Sequence, residues 1–302
     1  MTAVMGIDAA WTPTAPSGVA LVENNGTHWR CVALSPSYSG FYEIARGQKI
    51  NWMVAHPGEH PRPDHLLEAT KEMADGGPID VVAVDMPLSR RPITGRRRAD
   101  DELSRAYGGR GCGAHTPSLT KPGPISEATR DGFASYPLAT ATTGLGTTPA
   151  LLEVYPHPAL LTLTGATYRL PYKVARSTRY WKGAPLRERK ERLLEQYNSI
   201  LSHLAAHIES IPLSLPDPDT VSLAVLKTFE DGIDALICAW TGMEYLRGAA
   251  TAYGDGEAAI WVPTSPTTHE PGPRPVKFIS PDGQAAVFPD YSPHQSSGCV
   301  KE

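Results

Sequence analysis

The chain has 302 residues, long enough for a sizeable core in one large domain or two small ones. Its 29 prolines are about twice the usual share, and a formal charge of −4 argues against a protein that grips nucleic acid nonspecifically over its whole surface. The four cysteines, Cys31, Cys112, Cys238 and Cys299, show no zinc spacing, and no apolar run approaches the ~18 residues needed to span a bilayer. Residues 4–10 read as a buried strand and 18–22 as its hairpin partner. Residues 29–34 make a third strand, after the turn Asn24-Asn25-Gly26. Residues 35–60 carry no periodicity and read as irregular. Residues 63–74 have helical composition, stopped by the Gly-Gly-Pro that follows. Residues 79–86 (IDVVAVDM) form a continuous apolar run of the kind a parallel sheet buries on both faces.

Residues 88–148, rich in Gly, Pro, Ser, Thr and Arg, read as one long insertion with a short helix over 99–107. Residues 151–155 (LLEVY) are a fifth strand closed by Pro156. Helical spacing covers 186–208, and 229–247 is a second, more buried helix. Residues 258–262 make a last short strand. From residue 263 to 302 the chain is proline-rich and non-periodic, an extended or disordered tail. The fold class is α/β, with an antiparallel meander first and parallel strands after it. No basic stretch followed by an apolar one opens the chain, so a reducing cytoplasm is the expected compartment.

Acids stand at the ends of these elements. Asp8 closes the first strand's apolar run, Asp85 closes the fourth, Glu153 interrupts the fifth, and Asp231 and Asp234 lie near the start of the last helix. Buried carboxylates are costly unless cations compensate them. Mg²⁺ or Mn²⁺ would do so, and two such ions about 4 Å apart can promote phosphodiester cleavage. Open α/β sheets bind ligands beyond the carboxyl ends of their strands. Each acid also has a structural alternative. Asp8 would cap a loop and Asp85 a turn. Glu153 would pair with an internal arginine. Thr228 and Asp231 fit a capping box with Thr228 as N-cap. Asp231 and Asp234 share one helix face and would serve one metal. Arg96, Arg97 and Arg98, directly after the fourth strand, are candidates for an anionic substrate, as are Lys173 and His157. Glu68 and Glu72 read as solvated helix acids. No GxxxxGK[ST] loop, GxGxxG after a strand, GxSxG or HExxH is present.

The set GIDAAW, SGVAL, VAVDMPLS, EVYPHPAL, RLPYK, EDGIDALICAW and AIWVP, in this order and spacing, resembles a family of bacterial and archaeal proteins. That family is catalogued as a domain of unknown function, DUF429, and labelled a predicted nuclease of RNase H-like fold. The resemblance implies one domain over 1–262 with a mixed five-stranded sheet in order 3-2-1-4-5, strand 2 antiparallel, flanked by helices. It also implies acids from the first strand, the fourth strand and the last helix, where Asp8, Asp85 and the Asp231/Asp234 pair stand. The D-x-x-D is similar to the RuvC-type resolvase arrangement, from which this chain departs by carrying Asp, not Glu, on the fourth strand. The activity so implied is nucleic-acid hydrolysis, DNA or RNA, with Asp8, Asp85 and Asp234 holding Mg²⁺ or Mn²⁺ and Asp231 and Glu153 beside them. Two other readings share the fold: an ATP- or small-phosphate-handling phosphotransferase, and a non-catalytic binding module.

Overall fold

Three short apolar runs build the first half of the sheet. They are β1 (Thr2–Asp8), β2 (Gly18–Asn24) and β3 (Trp29–Ser35), an antiparallel meander in which Ile7 faces Val19 and Asp8 faces Gly18. The structure, a computed structural model, describes residues 1–74 and 77–264. The expected tail from residue 265 on, and Cys299, lie outside the described residues; Pro263, expected to open that tail, instead ends the last strand.

After the meander come α1 (Tyr38–Ala45) and α2 (Pro63–Met73). The helix α1 corrects the expectation of an irregular stretch over 35–60. Ser37 caps it by accepting a hydrogen bond from the Gly40 N–H at 3.1 Å, and Tyr38 and Phe41 are buried beneath it. It spans only eight residues, too few for a periodic signal. β4 (Val81–Val84) follows, wholly buried and parallel to β1. The insertion contributes α3 (Arg98–Tyr107) and α4 (Pro124–Gly132). β5 (Ala150–Val154) lies parallel to β4, and α5 (Pro156–Thr164) begins on the proline that ends it. Then come α6 (Ser177–Tyr180), α7 (Leu186–Leu204), β6 (Ile208–Glu209), α8 (Leu223–Leu246), β7 (Ala250–Gly254) and β8 (Ala259–Pro263).

The strands form one mixed sheet of eight in the order β6-β3-β2-β1-β4-β5-β8-β7. β8 is the last short strand read at 258–262, but it, β6 and β7 lie outside the five-strand order that the resemblance implies. β6 is two residues long, and β7 (ATAYG) has no clean alternation, so neither announces itself in the sequence. Successive residues of the central strands feed two cores, as a pleat requires. Val4, Ala20, Val22, Ala83 and Leu152 pack with α5, α7 and α8 on one face. Met5, Ile7, Val19, Leu21 and Val84 pack with α1 and α2 on the other.

The helix α8 runs across the first of these faces and fixes the site. It starts earlier than the sequence suggests: Ser222 is its N-cap, accepting from the Val225 N–H at 3.2 Å. The capping box on Thr228 is therefore corrected. Thr228 lies inside the helix, and its hydroxyl donates to the Val54 carbonyl at 3.2 Å. The preceding Leu-Ala-Val-Leu-Lys extends the helix because each of those residues tolerates helical backbone and its leucines find apolar partners. α8 sits very close to the sheet. A Cβ at Gly6 would collide with the Ala235 carbonyl, one at Gly18 with the Asp231 carbonyl, and one at Gly242 with Val4. Among the described residues no helix is long and apolar enough to cross a membrane.

Candidate active site

Parallel pairing of β1 and β4 sets Ile7 beside Val84. The Asp85 N–H continues that ladder to the Ile7 carbonyl at 2.8 Å, so Asp8 and Asp85 sit on adjoining strand ends. The close approach at Gly18 and Gly6 brings α8 up behind them. Its Glu230, Asp231 and Asp234 are all buried. Five carboxylates therefore gather where β1, β4 and α8 meet.

Two lysines answer them. Lys227 pairs with Glu230 at 2.9 Å and with Asp231 on the same helix. Lys173 comes from the loop after α5, pairs with Asp234, and lies 3.4 Å from Glu230. The neighbours of Lys173 stitch that loop to α8. The Tyr172 hydroxyl donates to Asp234 at 2.7 Å, and the Val174 N–H donates to Glu230 at 2.6 Å. Asp234 is thus satisfied at both oxygens. Asp231 is not: its Oδ2 is buried with no hydrogen-bond partner. Neither Asp8 nor Asp85 receives a side-chain hydrogen bond among the described residues.

The electrostatics follow from burial and crowding. Burial pushes the Asp85 carboxyl well above the ordinary carboxylate range, and the charge on Asp8 pushes it further. Burial likewise raises Asp231 well above its usual range, against the pull of Lys227. Asp234 rises to about 6, through burial only partly offset by Lys173. Burial works to raise Glu230 too, but Lys173, Lys227 and the Val174 N–H prevail and hold it below its ordinary value. Burial opposes the charge on Lys173, yet Asp234, Tyr172 and Glu230 outweigh it and keep that charge in place.

Glu153 stands apart from this group. Arg97 binds it with two hydrogen bonds of 2.6 Å and binds Asp100 at 2.7 Å. The Leu88 N–H also donates to Glu153, at 2.8 Å. All five guanidinium donors of Arg97 are used, on Glu153, Asp100 and the Leu88 carbonyl. The sequence reading set Arg96, Arg97 and Arg98 over the acids for substrate. The structure engages them with acids of the N-terminal half of α3: Arg96 pairs with Asp101, Arg97 with Asp100, and Arg98 with Glu102. His157 is buried in the first turn of α5, edge-on to Tyr155 and Tyr172. Burial, then Lys173, Arg169 and Arg176, hold its imidazole well below the usual histidine range. Glu68 and Glu72 line a separate hollow between α1 and α2.

A cavity of about 280 Å³ opens onto the acids. Asp85, Glu230, Lys173 and His157 form part of its wall, with Arg169 and Arg176. The sequence reading did not single out Glu230, Tyr172, Arg169 or Arg176. Glu230 adjoins Asp231, and Arg169 and Tyr172 precede Lys173 in RLPYK, so those motifs held the signal; Arg176 lies in no motif. Among the described residues no three His, Cys, Asp or Glu side chains converge as a ready-made metal site.

Over residues 6–258 the chain matches the model of the family described as "Protein of unknown function (DUF429)", and it belongs to that family. No curated protein and no solved structure matches it.

Proposed function

We propose that this chain is a metal-dependent nuclease of RNase H-like fold, hydrolysing phosphodiester bonds of nucleic acid at the acids beyond β1 and β4. The five-strand order 3-2-1-4-5 is our reading of β3-β2-β1-β4-β5 at the centre of the larger sheet. One observation carries the functional reading. Asp8 and Asp85, both without a side-chain hydrogen bond, face a helix that offers a buried, unpartnered Asp231 oxygen.

That donor set fits Mg²⁺ or Mn²⁺ in chemistry: hard carboxylate oxygens, in excess of the lysines that answer them. Asp8, Asp85 and the Asp231 Oδ2 would hold the cation. Asp234, expected as a ligand, fits better as the group that positions Lys173, since Tyr172 and Lys173 already occupy its oxygens. A bound divalent cation would supply a Lewis acid for the phosphate and an activated water. The chain's own residues orient the rest. Lys173, held charged by Asp234, lies on the cavity wall where it would meet a phosphate oxygen. Arg97 braces Glu153 and the Leu88 carbonyl behind Asp85, and so fixes the turn that carries that carboxylate.

Cleavage of linear and structured DNA and RNA with Mn²⁺ tests this, using the wild type, Asp8→Asn and Asp85→Asn. Cleavage should vanish in both variants while their melting curves stay cooperative. Mn²⁺ at a hundred times its Kd should stabilise the wild type by about 2.7 kcal/mol. It should do nothing for Asp8→Asn. A folded, active Asp8→Asn protein would sink the assignment.

A further inference from the structure

The cavity has a second wall that the acids do not explain. Arg169 lies on the loop between α5 and α6, and Arg176 closes the single 3-10 turn, Val174–Arg176, that follows. Both guanidiniums line the cavity that Asp85 and Lys173 line. Neither has a carboxylate partner among the described residues, in contrast with Arg97 close by. Arg169 makes one long contact, to the Gly111 carbonyl at 3.5 Å, and its Nε is buried with no partner. Its backbone is firmly held: its N–H donates to the Arg110 carbonyl at 2.9 Å. The loop's other end is tied to α8 through Tyr172, Lys173 and Val174. His115, on the same wall, is held below the usual histidine range by burial and by Arg176 and Arg169, as His157 is. So two guanidiniums without a carboxylate partner and two imidazoles kept neutral share one hollow, while the acids of that hollow are answered by Lys173 and Arg97 or, like Asp85, belong to the cluster at the strand ends. Guanidinium forks match phosphate oxygens in pairs.

Size narrows the ligand. A volume of about 280 Å³ falls just below the usual range of ligand pockets, which begins at about 300 Å³. It has room for a small terminal group. A duplex, whose major groove alone is about 12 Å wide, does not enter it.

We propose that Arg169 and Arg176 seat the phosphate monoester at the end of a nucleic-acid strand, so that the site handles strand ends and not the interior of a duplex. The strand, as ligand, rests on the nuclease reading; the phosphate seat does not.

Titration calorimetry in EDTA separates the two. The probes are a short oligothymidylate with a 5′-phosphate, the same with a 3′-phosphate, the same with hydroxyls at both ends, and its circular form. One phosphorylated form should bind the wild type about tenfold more tightly than the hydroxyl form, as charge-assisted hydrogen bonds predict. The circle should bind no better than the hydroxyl form. Arg169→Ala with Arg176→Ala should erase the preference, and Arg169→Lys should restore only part of it. Arg98→Ala, which does not line the cavity and pairs with Glu102, should keep it. Equal binding of all four probes by the wild type, no binding at all, or a preference that survives the double variant in a protein that melts cooperatively would each overturn the proposal. If the preference is absent while Mn²⁺-dependent cleavage is lost in Asp8→Asn, the nuclease reading stands and the seat falls. If the preference is present and no metal yields cleavage, the seat stands and the nuclease reading falls.

Discussion

Two buried ion clusters lie on neighbouring strand ends, and they are built on opposite principles. Around Arg97, one cation meets Glu153 and Asp100, every guanidinium hydrogen is used, and a backbone N–H completes Glu153. Around Asp8, Asp85, Glu230, Asp231 and Asp234, two lysines answer five acids and a carboxylate oxygen is left without a partner. Burial of an acid therefore says little by itself. What separates a brace from a reactive centre is whether the protein has already answered the charge.

Substitutions should pull these clusters apart. The largest effect belongs to Arg97→Ala, which strands Glu153 and Asp100 in the interior and should cost about 3–5 kcal/mol. Urea unfolding measures it, and a loss under 1 kcal/mol would mean that the brace is not one. In the other cluster the sign of the pH dependence is the test. Asp234 has a folded pKa of about 6 against an ordinary 3.8, so between these values the folded state binds more protons than the unfolded. Its contribution to stability is present below the lower value and is lost as pH rises through the upper. The slope attains at most about 1.4 kcal/mol per pH unit. Asp234→Asn should flatten the curve over that window; an unchanged slope would contradict the assigned shift. Smaller again, Asp85→Asn should raise stability at pH 7, because it replaces a carboxyl whose charged form burial and Asp8 both oppose. The opposite sign, a loss, would place Asp85 among the braces. Smallest is Arg98→Ala. Its pair with Glu102 is solvent-exposed, so the melting midpoint should not move measurably.

The site's acids were legible because they sit where apolar runs end. Asp8 and Asp85 terminate such runs, and Asp234 precedes a nearly unbroken apolar stretch, so each looks out of place without any knowledge of its partners. Glu153 looked equally out of place, and its rival reading, an internal arginine, describes what the structure shows. What the sequence hid were partners. Lys173 meets Asp234 across 61 residues, and only the path of the loop after α5 decides that. Arg169 and Arg176 stand in that irregular loop, where no periodicity points to a wall. The edges of the sheet were hidden for a different reason. A strand as short as β6 gains its conformation from β3, not from its own residues.

The seam where α8 meets the sheet has a mechanical meaning. Gly6, Gly18 and Gly242 on one side, with Gly232 against Trp52 on the other, notch the helix between residues 231 and 242, about 17 Å of its length. A joint cut in several places cannot slide or turn. The acids are therefore located by carpentry in glycine and alanine, not by the charges they carry. It follows that their identities are exchangeable while their positions are not. A scaffold of this kind lets chemistry drift through Asp, Glu, Asn or Lys at fixed coordinates, but a single residue inserted between Asp234 and Ala235 would turn Glu230, Asp231 and Asp234 by about 100° relative to the seam that Ala235, Ala239 and Gly242 make with the sheet.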